Sequence, residues 1–297
     1  MRIQVLTHQP VESLSGNRIT ANRWTAMLES LGHQVSDHCG DVLVALHAVH
    51  TAGAVLEHQG PTVVALTGTD LYVRYGRAVE AVLEQAWRIV VLQRGALDQL
   101  PPNLRAKSRV ILQSAEPGER RMQPHRVAVV AHLRPVKDPL LAADALHHLP
   151  PDSAIRIEHA GEALEPELAD LARRFPDPRY RWLGPVSHGE AVDLIRSAWI
   201  MVLTSRSEGG ANVLSEALAC GTPVVSTDID AARALLGESY PGLFPVGDAA
   251  GLARLLSRAE RDASFYRELV EAIAERRHLV EPEREREAWH ALLAELP

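Results

Sequence analysis

Two glutamates with seven residues between them frame a glycine pair in the second half of the chain. The residues are Glu208, Gly209, Gly210 and Glu216, and an apolar run typical of a buried strand, Ile200–Leu203, precedes them. The residues after the glycines have the spacing of a helix with one apolar face. The first amides of such a helix lack an internal partner and can bind a phosphate or diphosphate. Carboxylates accept hydrogen bonds from sugar hydroxyls, so the pattern favours a sugar joined to a diphosphate. An ordinary strand–loop–helix unit with solvated acids is the alternative.

The longer segment SEGGANVLSEALACGTPVV resembles the signature of retaining-type glycosyltransferases with two Rossmann domains, known as the GT-B type. Their Glu-x7-Glu pattern is matched by Glu208 and Glu216. The resemblance implies that Glu208 contacts the donor sugar and that Glu216 holds the nucleotide ribose. Donor contacts are also expected at the turn into the helix, from Gly209, Gly210, Ala211 and Asn212.

Two cations follow the first predicted strand of the second half of the chain, in the segment VAHLRPVKDP. The resemblance implies that Arg134 and Lys137 bind the donor diphosphate. When the bond from sugar to phosphate breaks, negative charge develops on the leaving diphosphate, and fixed cations that meet that charge lower the barrier. We therefore expect Arg134, Lys137 and Glu208 to act in catalysis. A solvated turn with two cations is the alternative interpretation.

The composition excludes several classes of function. Of the 297 residues, 46% are hydrophobic and 23% are charged, which is typical of a soluble globular protein. The net charge of −7 argues against a nucleic-acid partner. No run approaches the ~20 apolar residues of a membrane span, and the N-terminus does not resemble a signal peptide. The two cysteines fit a reduced, cytoplasmic setting. No P-loop, nucleophile elbow or nicotinamide-type glycine motif is present, so kinase, hydrolase and dehydrogenase functions lose support.

Strand and helix patterns alternate along the chain and predict an α/β fold with parallel sheets and helices on both faces. The alternation stops in the Pro- and Gly-containing segment 115–125 and then restarts. This restart predicts two Rossmann-like domains, an acceptor domain at 1–122 and a nucleotide-sugar donor domain at 123–281. The resemblance implies that the domains face each other across a cleft and that a C-terminal helix, 282–297, crosses back to the first domain.

Polar loops follow the predicted strands of the first domain, at the edge where ligands bind in such sheets. One loop precedes a helix predicted to start at Ile19, and it supplies Ser15, Gly16, Asn17 and Arg18. These four residues are expected to bind substrate, although the family more often has two adjacent glycines there. Arg18 could contact an anion or be solvated. Thr69 and Asp70 follow the strand PTVVAL and are further substrate-binding candidates, although Asp70 could simply shape its turn.

In the second domain, Gly161 ends one predicted strand, and Leu183 and Gly184 end the next. The resemblance implies that these two loops hold the nucleobase; ordinary turns are the alternative.

His47 ends a predicted strand in the first domain, and the resemblance places such a histidine near the sugar, so it is a catalytic candidate. His47 and His50 form a weak metal pair with no third ligand in view. Asp228 and Asp230 form an Asp-x-Asp triplet, but it follows the proposed diphosphate helix and is not expected to bind metal. We therefore predict no metal and no cofactor, with the UDP-sugar as a co-substrate.

A narrower resemblance is carried by GNRITANRW, ALHAVHTA, LTGTDLY, VVLQRGALDQLP and ILQSAEP, which together are similar to the selenosugar synthase family of selenoneine biosynthesis. That family joins selenophosphate to the sugar of a UDP-sugar, typically UDP-N-acetylglucosamine, and releases UDP and phosphate. Selenophosphate is already anionic and should need cations more than a general base. Arg18, Arg23 and Arg74 lie in or beside the candidate acceptor loops. The short first domain also suggests a small acceptor.

Other functions stay open from the sequence. The chain could be an ordinary glycosyltransferase that uses a small hydroxyl or thiol acceptor. It could also be a sugar-nucleotide sensor without turnover, or a UDP-sugar epimerase or hydrolase on the same fold. A monomer or homodimer is expected.

Overall fold

A computed structural model of the chain describes residues 1–296. The chain forms two compact units. The first contains Met1–Ser114, Glu208–Asn212 and the C-terminal segment that begins at Pro282, and the second contains Ala115–Ser207 and Val213–Glu281. The change between units thus falls at Ser114, whereas the sequence analysis placed it at residues 122/123. The sequence analysis also gave residues 208–212 to the donor domain, whereas their contacts assign them to the first unit.

Each unit contains one six-stranded parallel sheet. The strands of the first unit are β1 (Arg2–Leu6), β2 (Gln34–Ser36), β3 (Val42–Leu46), β4 (Thr62–Leu66), β5 (Arg88–Val91) and β6 (Ser108–Val110). The strands of the second unit are β7 (Arg126–Val130), β8 (Arg156–Ala160), β9 (Tyr180–Gly184), β10 (Ile200–Leu203), β11 (Val224–Thr227) and β12 (Leu243–Phe244). The spatial orders are β2-β1-β3-β4-β5-β6 and β12-β11-β10-β7-β8-β9. The predicted α/β class with parallel sheets is confirmed.

Helices connect the strands and return the chain to the start of the next parallel strand. They are α1 (Gly16–Ser30), α2 (Ala52–Glu57), α3 (Thr69–Tyr72), α4 (Arg77–Gln85), α5 (Pro102–Ala106), α6 (Leu141–Ala145), α7 (Pro166–Arg173), α8 (His188–Ser197), α9 (Asn212–Cys220), α10 (Asp230–Leu236), α11 (Ala249–Arg261), α12 (Ala263–Arg276) and α13 (Pro282–Ala294). Short 3₁₀ turns cover Arg94–Gln99, Pro135–Lys137, Leu146–His148 and Arg277–Val280. Over residues 1–296, no helix combines the length and apolar character needed to cross a membrane.

The core of the first unit explains why the central strands are continuous apolar runs. Every residue of β3 and β4 is buried, as expected for parallel strands covered on both faces. One of these faces packs under α1 and α13, where the Trp24 and Trp289 rings meet edge to face with centroids 4.7 Å apart. The prediction that the C-terminal helix returns to the first domain is confirmed.

The second unit contains a buried histidine on β8 that contacts the first residue of β9 and the residue that follows β7. His159 Nε2 lies 2.9 Å from the carbonyl oxygen of Ala131, and Nδ1 lies 2.9 Å from the Tyr180 hydroxyl. A carbonyl only accepts hydrogen bonds, so Nε2 carries the proton and Nδ1 accepts from the tyrosine. Burial lowers the pKa of His159 from 6.5 to about 4, against an opposing effect of the bond to Ala131. The side chain therefore belongs to the core of this unit.

We expect His159 to make stability depend on pH. An imidazole in the unfolded chain takes up a proton near pH 6.5, whereas the folded one stays neutral until about pH 4. The free energy of unfolding should therefore be undiminished above pH 6.5 and should fall by about 3 kcal/mol as the pH drops through this window. Urea denaturation at a series of pH values measures this slope. His159→Gln should flatten it, and an equal slope in the variant would assign the pH dependence to other groups.

Candidate functional site

The loop that follows β7 carries the two predicted diphosphate-binding cations. Arg134 precedes the 3₁₀ turn that ends at Lys137. The Thr204 hydroxyl donates to the Lys137 carbonyl at 2.8 Å, and the Arg206 amide donates to the Val136 carbonyl at 2.8 Å. An ion pair of 2.7 Å joins Arg206 to Asp138. The loop is thereby fastened to the segment that follows β10, and its two cations are held in a fixed place.

The Arg134 side chain is half-buried, and one of its nitrogen atoms is available for a ligand. In the part of the chain that the structure describes, its buried Nε atom has no hydrogen-bond partner. A buried polar group normally has a partner, so such a donor is suited to a ligand. The planar guanidinium can bind two phosphate oxygens at once. Lys137 supplies a second cation on the same loop. This arrangement can hold a diphosphate.

Glu216 lies on α9 and is 7% exposed. His188 Nε2 lies 2.8 Å from Glu216 Oε1, and because a carboxylate only accepts, this nitrogen donates. His188 begins α8 directly after Ser187, whose side chain and Glu190 form a capping box. The sequence analysis missed His188. The Ser-x-x-Glu box after a predicted strand was the available signal, because it places His188 at the carboxyl end of the second sheet.

The two loops predicted to hold a nucleobase are joined to each other. The Gly161 amide donates to the Gly184 carbonyl at 2.9 Å, and Trp182 Nε1 donates to the Gly161 carbonyl at 2.9 Å. Leu183 is half-buried on β9. The structure therefore places these residues side by side at the ends of β8 and β9, and their contact with a base stays a prediction.

The segment Glu208–Asn212 belongs to the first unit, and its glycines allow close contact with that unit. A Cβ atom at Gly209 would lie 2.4 Å from the Thr67 carbonyl oxygen, and one at Gly210 would lie 2.3 Å from Gln113 Oε1. The neighbours that exclude a side chain at these two positions belong to the chain itself. Contact of Gly209 and Gly210 with the donor stays a prediction.

Asn212 anchors the first residue of α9 to α1. Its Oδ1 accepts from Arg23 Nη2 at 3.3 Å, and its Nδ2 donates to the Gly16 carbonyl at 3.3 Å and to Thr20 Oγ1 at 3.2 Å. The oxygen and the nitrogen of this amide thus both bind the protein, and a substrate contact from Asn212 stays a prediction. Ala211 beside it is buried, with a left-handed backbone φ of 51°. Glu208 is half-buried at the start of the segment.

Alanine at Gly209 is expected to disturb this segment. The added methyl group must displace the Thr67 carbonyl, and such overpacking costs about 1–3 kcal/mol of unfolding free energy. Gly189→Ala is the matched control, because a Cβ there meets nothing within 4 Å. Urea denaturation of both variants measures the difference. Equal stability of the two variants would mean that residues 208–212 do not pack tightly on the first unit.

Asp70 holds two loops of the first unit together. Its side chain is fully buried, Oδ1 accepts from the amides of Thr67 at 3.0 Å and Gly68 at 2.9 Å, and Oδ2 accepts from Ala48 at 3.0 Å. The sequence analysis placed Asp70 in substrate binding or in shaping its turn. The structure supports the second role, because backbone amides occupy both carboxylate oxygens.

His47 directly follows β3 and has a strained backbone conformation. Its φ of 79° lies in the left-handed region, it is 3% exposed, and its Nε2 lies 2.8 Å from Thr69 Oγ1. Backbone strain of this kind clusters at functional sites. Burial, and then the charge of His50, lowers the pKa of His47 to about 4. A neutral imidazole can exchange hydrogen bonds with a sugar but supplies no charge near neutral pH. Thr69 and His47 thus form one group at this edge of the sheet.

The loop before α1 is organised by its own polar groups. Ser15 caps the helix by accepting from the Arg18 amide, so α1 starts at Gly16 and not at the predicted Ile19. The Arg18 guanidinium donates to the carbonyls of Gln9 and Pro10. Two of its nitrogens thus close its own loop, and a substrate contact from Arg18 stays a prediction. Asn17 and Gly16 occupy the first turn of the helix.

Residues 1–296 contain no group of three or more His, Cys, Asp or Glu side chains arranged to hold a metal ion. Asp228 of the Asp-x-Asp triplet instead forms a two-point ion pair with Arg233, at 2.6 and 2.8 Å.

Comparison with known proteins identifies the family. The family model described as "Glycosyl transferases group 1" matches residues 113–276, which is more than half of the chain and includes Arg134, Lys137, Glu208 and Glu216. The phosphatidyl-myo-inositol mannosyltransferase of Mycolicibacterium smegmatis is 35% identical over 134 residues, which are 43% of this chain and 33% of that protein. The D-inositol 3-phosphate glycosyltransferase of Mycobacterium bovis is 32% identical over 132 residues, 42% of this chain and 27% of that protein. The chain spans about a third of the length of the curated relatives it matches.

Solved structures share the fold at low identity. Sucrose-phosphate synthase from Thermosynechococcus elongatus has a TM-score of 0.79 at 16% identity, with 99% of this chain and 98% of that chain covered. Anabaena HepE in complex with UDP and glucose has a TM-score of 0.73 at 17% identity, with 99% and 86% covered. These similarities confirm the predicted GT-B fold. With the family match over residues 113–276, they show that this chain belongs to the group 1 glycosyltransferases.

Proposed function

We propose that this chain is an enzyme that transfers a sugar from a UDP-sugar, and that UDP-N-acetylglucosamine is the donor and selenophosphate the acceptor. The UDP-sugar donor is supported above all by the loop with Arg134 and Lys137, which is fixed in place and whose buried Arg134 Nε has no hydrogen-bond partner among residues 1–296. The family match includes this loop. HepE, which shares the fold, is bound to UDP and glucose in its structure, and this supports a uridine diphosphate donor here.

In the proposed reaction, a selenium lone pair of selenophosphate attacks C1 of the sugar. The bond from C1 to the diphosphate oxygen breaks, and its electron pair leaves with UDP. Arg134 and Lys137 meet the charge that develops on the diphosphate, so the step needs no metal ion. Water then cleaves the selenium–phosphorus bond and gives phosphate and the selenosugar. No electron donor or acceptor is required.

In this proposal the two glutamates accept hydrogen bonds from hydroxyl groups of the donor. Glu216 accepts from the ribose hydroxyls, and the hydrogen bond from His188 to its Oε1 fixes the orientation of the carboxylate. Glu208 accepts from the donor sugar. His47, neutral near pH 7 and joined to Thr69, offers a further hydrogen bond to the sugar. The choice of selenophosphate as the acceptor is supported by the short segments of the first unit that resemble selenosugar synthases.

A second candidate is favoured by the curated relatives. Two of them are named for inositol-containing compounds, and D-inositol 3-phosphate is a small one that carries a phosphomonoester group. The same donor residues would then serve transfer to a hydroxyl of a small acceptor.

One experiment separates the candidates. The chain is incubated anaerobically with UDP-N-acetylglucosamine and either selenophosphate, D-inositol 3-phosphate or no acceptor, and the products are identified by mass spectrometry. We expect UDP, phosphate and a selenium-bearing sugar only with selenophosphate. Release of UDP only with the inositol phosphate would replace the first candidate by the second. UDP release without any acceptor would indicate a hydrolase, and UDP-sugar binding with no product in any mixture would indicate a sensor.

A further inference from the structure

Three histidines of the first unit form a cluster beside the strained His47. His8 follows β1, and His47 and His50 follow the adjacent strand β3. The ring centroids of His8 and His50 are 4.0 Å apart, those of His47 and His50 are 4.3 Å apart, and those of His8 and His47 are 5.7 Å apart. His8 and His50 are exposed, whereas His47 is buried beneath them. The cluster therefore presents two imidazole rings to solvent at the edge of the sheet where substrates of this fold bind.

One cation and one buried acid lie beside the cluster. The exposed Arg74 follows α3, forms no ion pair with the described residues, and is near enough for its charge to lower the pKa of His47. The buried Asp70 carboxylate lies 4.0 Å from His47 Nδ1, and backbone amides donate to both of its oxygens. His47 Nδ1 has no hydrogen-bond partner within residues 1–296. Burial and the neighbouring histidines lower the pKa of His8 to about 4. Near neutral pH His8 and His47 are therefore uncharged hydrogen-bond donors, and Arg74 supplies positive charge beside them.

Ring geometry argues against a metal ion in the cluster. The His8 and His50 rings stack face to face at an angle of 25°. Metal-binding histidines direct nitrogen atoms at one point, whereas stacked rings direct their faces at each other. An oxyanion does not require that the nitrogen atoms point at one position, because imidazole N–H groups and a guanidinium can each donate to a different oxygen.

We propose that His8, His50 and Arg74 bind the tetrahedral phosphate-type oxyanion of the acceptor, with the neutral His47 buried beneath them. This inference rests on the proposed function and deepens it, because it assigns the acceptor group to named residues. The oxygens of the acceptor are held by the imidazole N–H groups and by the guanidinium. The selenium atom, a poor hydrogen-bond acceptor beside the oxygens, stays free to attack the sugar.

The test uses the full chain and combines kinetics with binding. His50→Asn and Arg74→Gln are each expected to raise the KM for selenophosphate about tenfold and to leave the KM for the UDP-sugar unchanged, because a hydrogen bond to a charged group is lost. The matched controls are Arg77→Gln and His148→Asn, which replace exposed residues outside the cluster. In a second measurement, histidine C2-proton resonances are followed by NMR during titration with thiophosphate and with inorganic phosphate. Two or more of these resonances should shift saturably in the parent chain and in both controls, but not in Arg74→Gln.

The outcomes distinguish this inference from the proposed function. Selenosugar formation with an unchanged acceptor KM in both cluster variants would overturn the site and leave the function standing. Saturable, Arg74-dependent shifts with thiophosphate in a chain that forms no selenosugar would support the site while the function fails. Resonance shifts that are equal in the parent chain and in Arg74→Gln would overturn the site. Saturable Zn²⁺ binding by the three histidines without any response to phosphate would also overturn it.

Discussion

Arg134→Ala is expected to lower kcat for UDP-sugar turnover by about a hundredfold to a thousandfold, the loss seen when a preorganised donor to developing charge is removed. The Arg134 loop is fastened by Thr204, Arg206 and Asp138, so the guanidinium is held in place before any ligand arrives. A guanidinium fixed in this way stabilises the charge on the leaving diphosphate more than it stabilises the intact UDP-sugar. Steady-state kinetics with a coupled assay for UDP release measures the effect.

Arg174→Ala is the matched control for this prediction, since Arg174 is an exposed arginine of the second unit. It should keep the parent kcat. Arg134→Lys should recover part of the lost rate, because a point charge is restored without the two-pronged geometry. A kcat for Arg134→Ala within about threefold of the parent value would remove Arg134 from the chemistry, since that difference is less than 1 kcal/mol of barrier.

Glu285→Ala is expected to lower the free energy of unfolding of the first unit by about 3–5 kcal/mol, because it leaves a charged partner without its counter-ion. The carboxylate has no exposed surface. It accepts from Trp24 Nε1 at 2.6 Å, from Arg23 Nε at 3.0 Å, and from the amide and hydroxyl of Ser114 at 2.8 and 2.5 Å. These contacts join α13 to α1 and to the last residue of the unit before the chain enters the second unit.

Tryptophan fluorescence during urea denaturation reports on this change, because Trp24 and Trp289 both lie in the affected core. Glu287→Ala on the exposed side of the same helix is the control and should change stability by less than about 0.5 kcal/mol. Glu285→Gln should lie between the two, since it keeps the shape and loses the charge. A loss below about 1 kcal/mol for Glu285→Ala would show that the network contributes little, as surface ion pairs do.

The fold could be predicted because its signals are local. The apolar runs at β3, β4 and β10 indicate strands that are buried on both faces. The order of the predicted strands and helices along the chain then indicated two halves, each with alternating strands and helices. The proposed roles of Arg134 and Lys137 came from the resemblance to glycosyltransferases, and the structure places both residues in the loop after β7.

The roles of several site residues could not be predicted, because contacts between distant parts of the chain decide them. Asn212 is occupied by Arg23 and Thr20, and Asp70 by the amide of Ala48. Hydrophobic periodicity reports which face of an element is buried, but it carries no information on which loop lies against which. The stacking of His8 on His50 is of the same kind, because β1 and β3 are neighbours in the sheet but not in sequence.

The most direct test of the central claim is a crystal structure of this chain soaked with UDP. We expect the diphosphate oxygens within hydrogen-bond distance of the Arg134 guanidinium and the Lys137 ammonium, and the ribose hydroxyls on the Glu216 carboxylate. UDP bound elsewhere, with none of these three side chains touching it, would contradict the account.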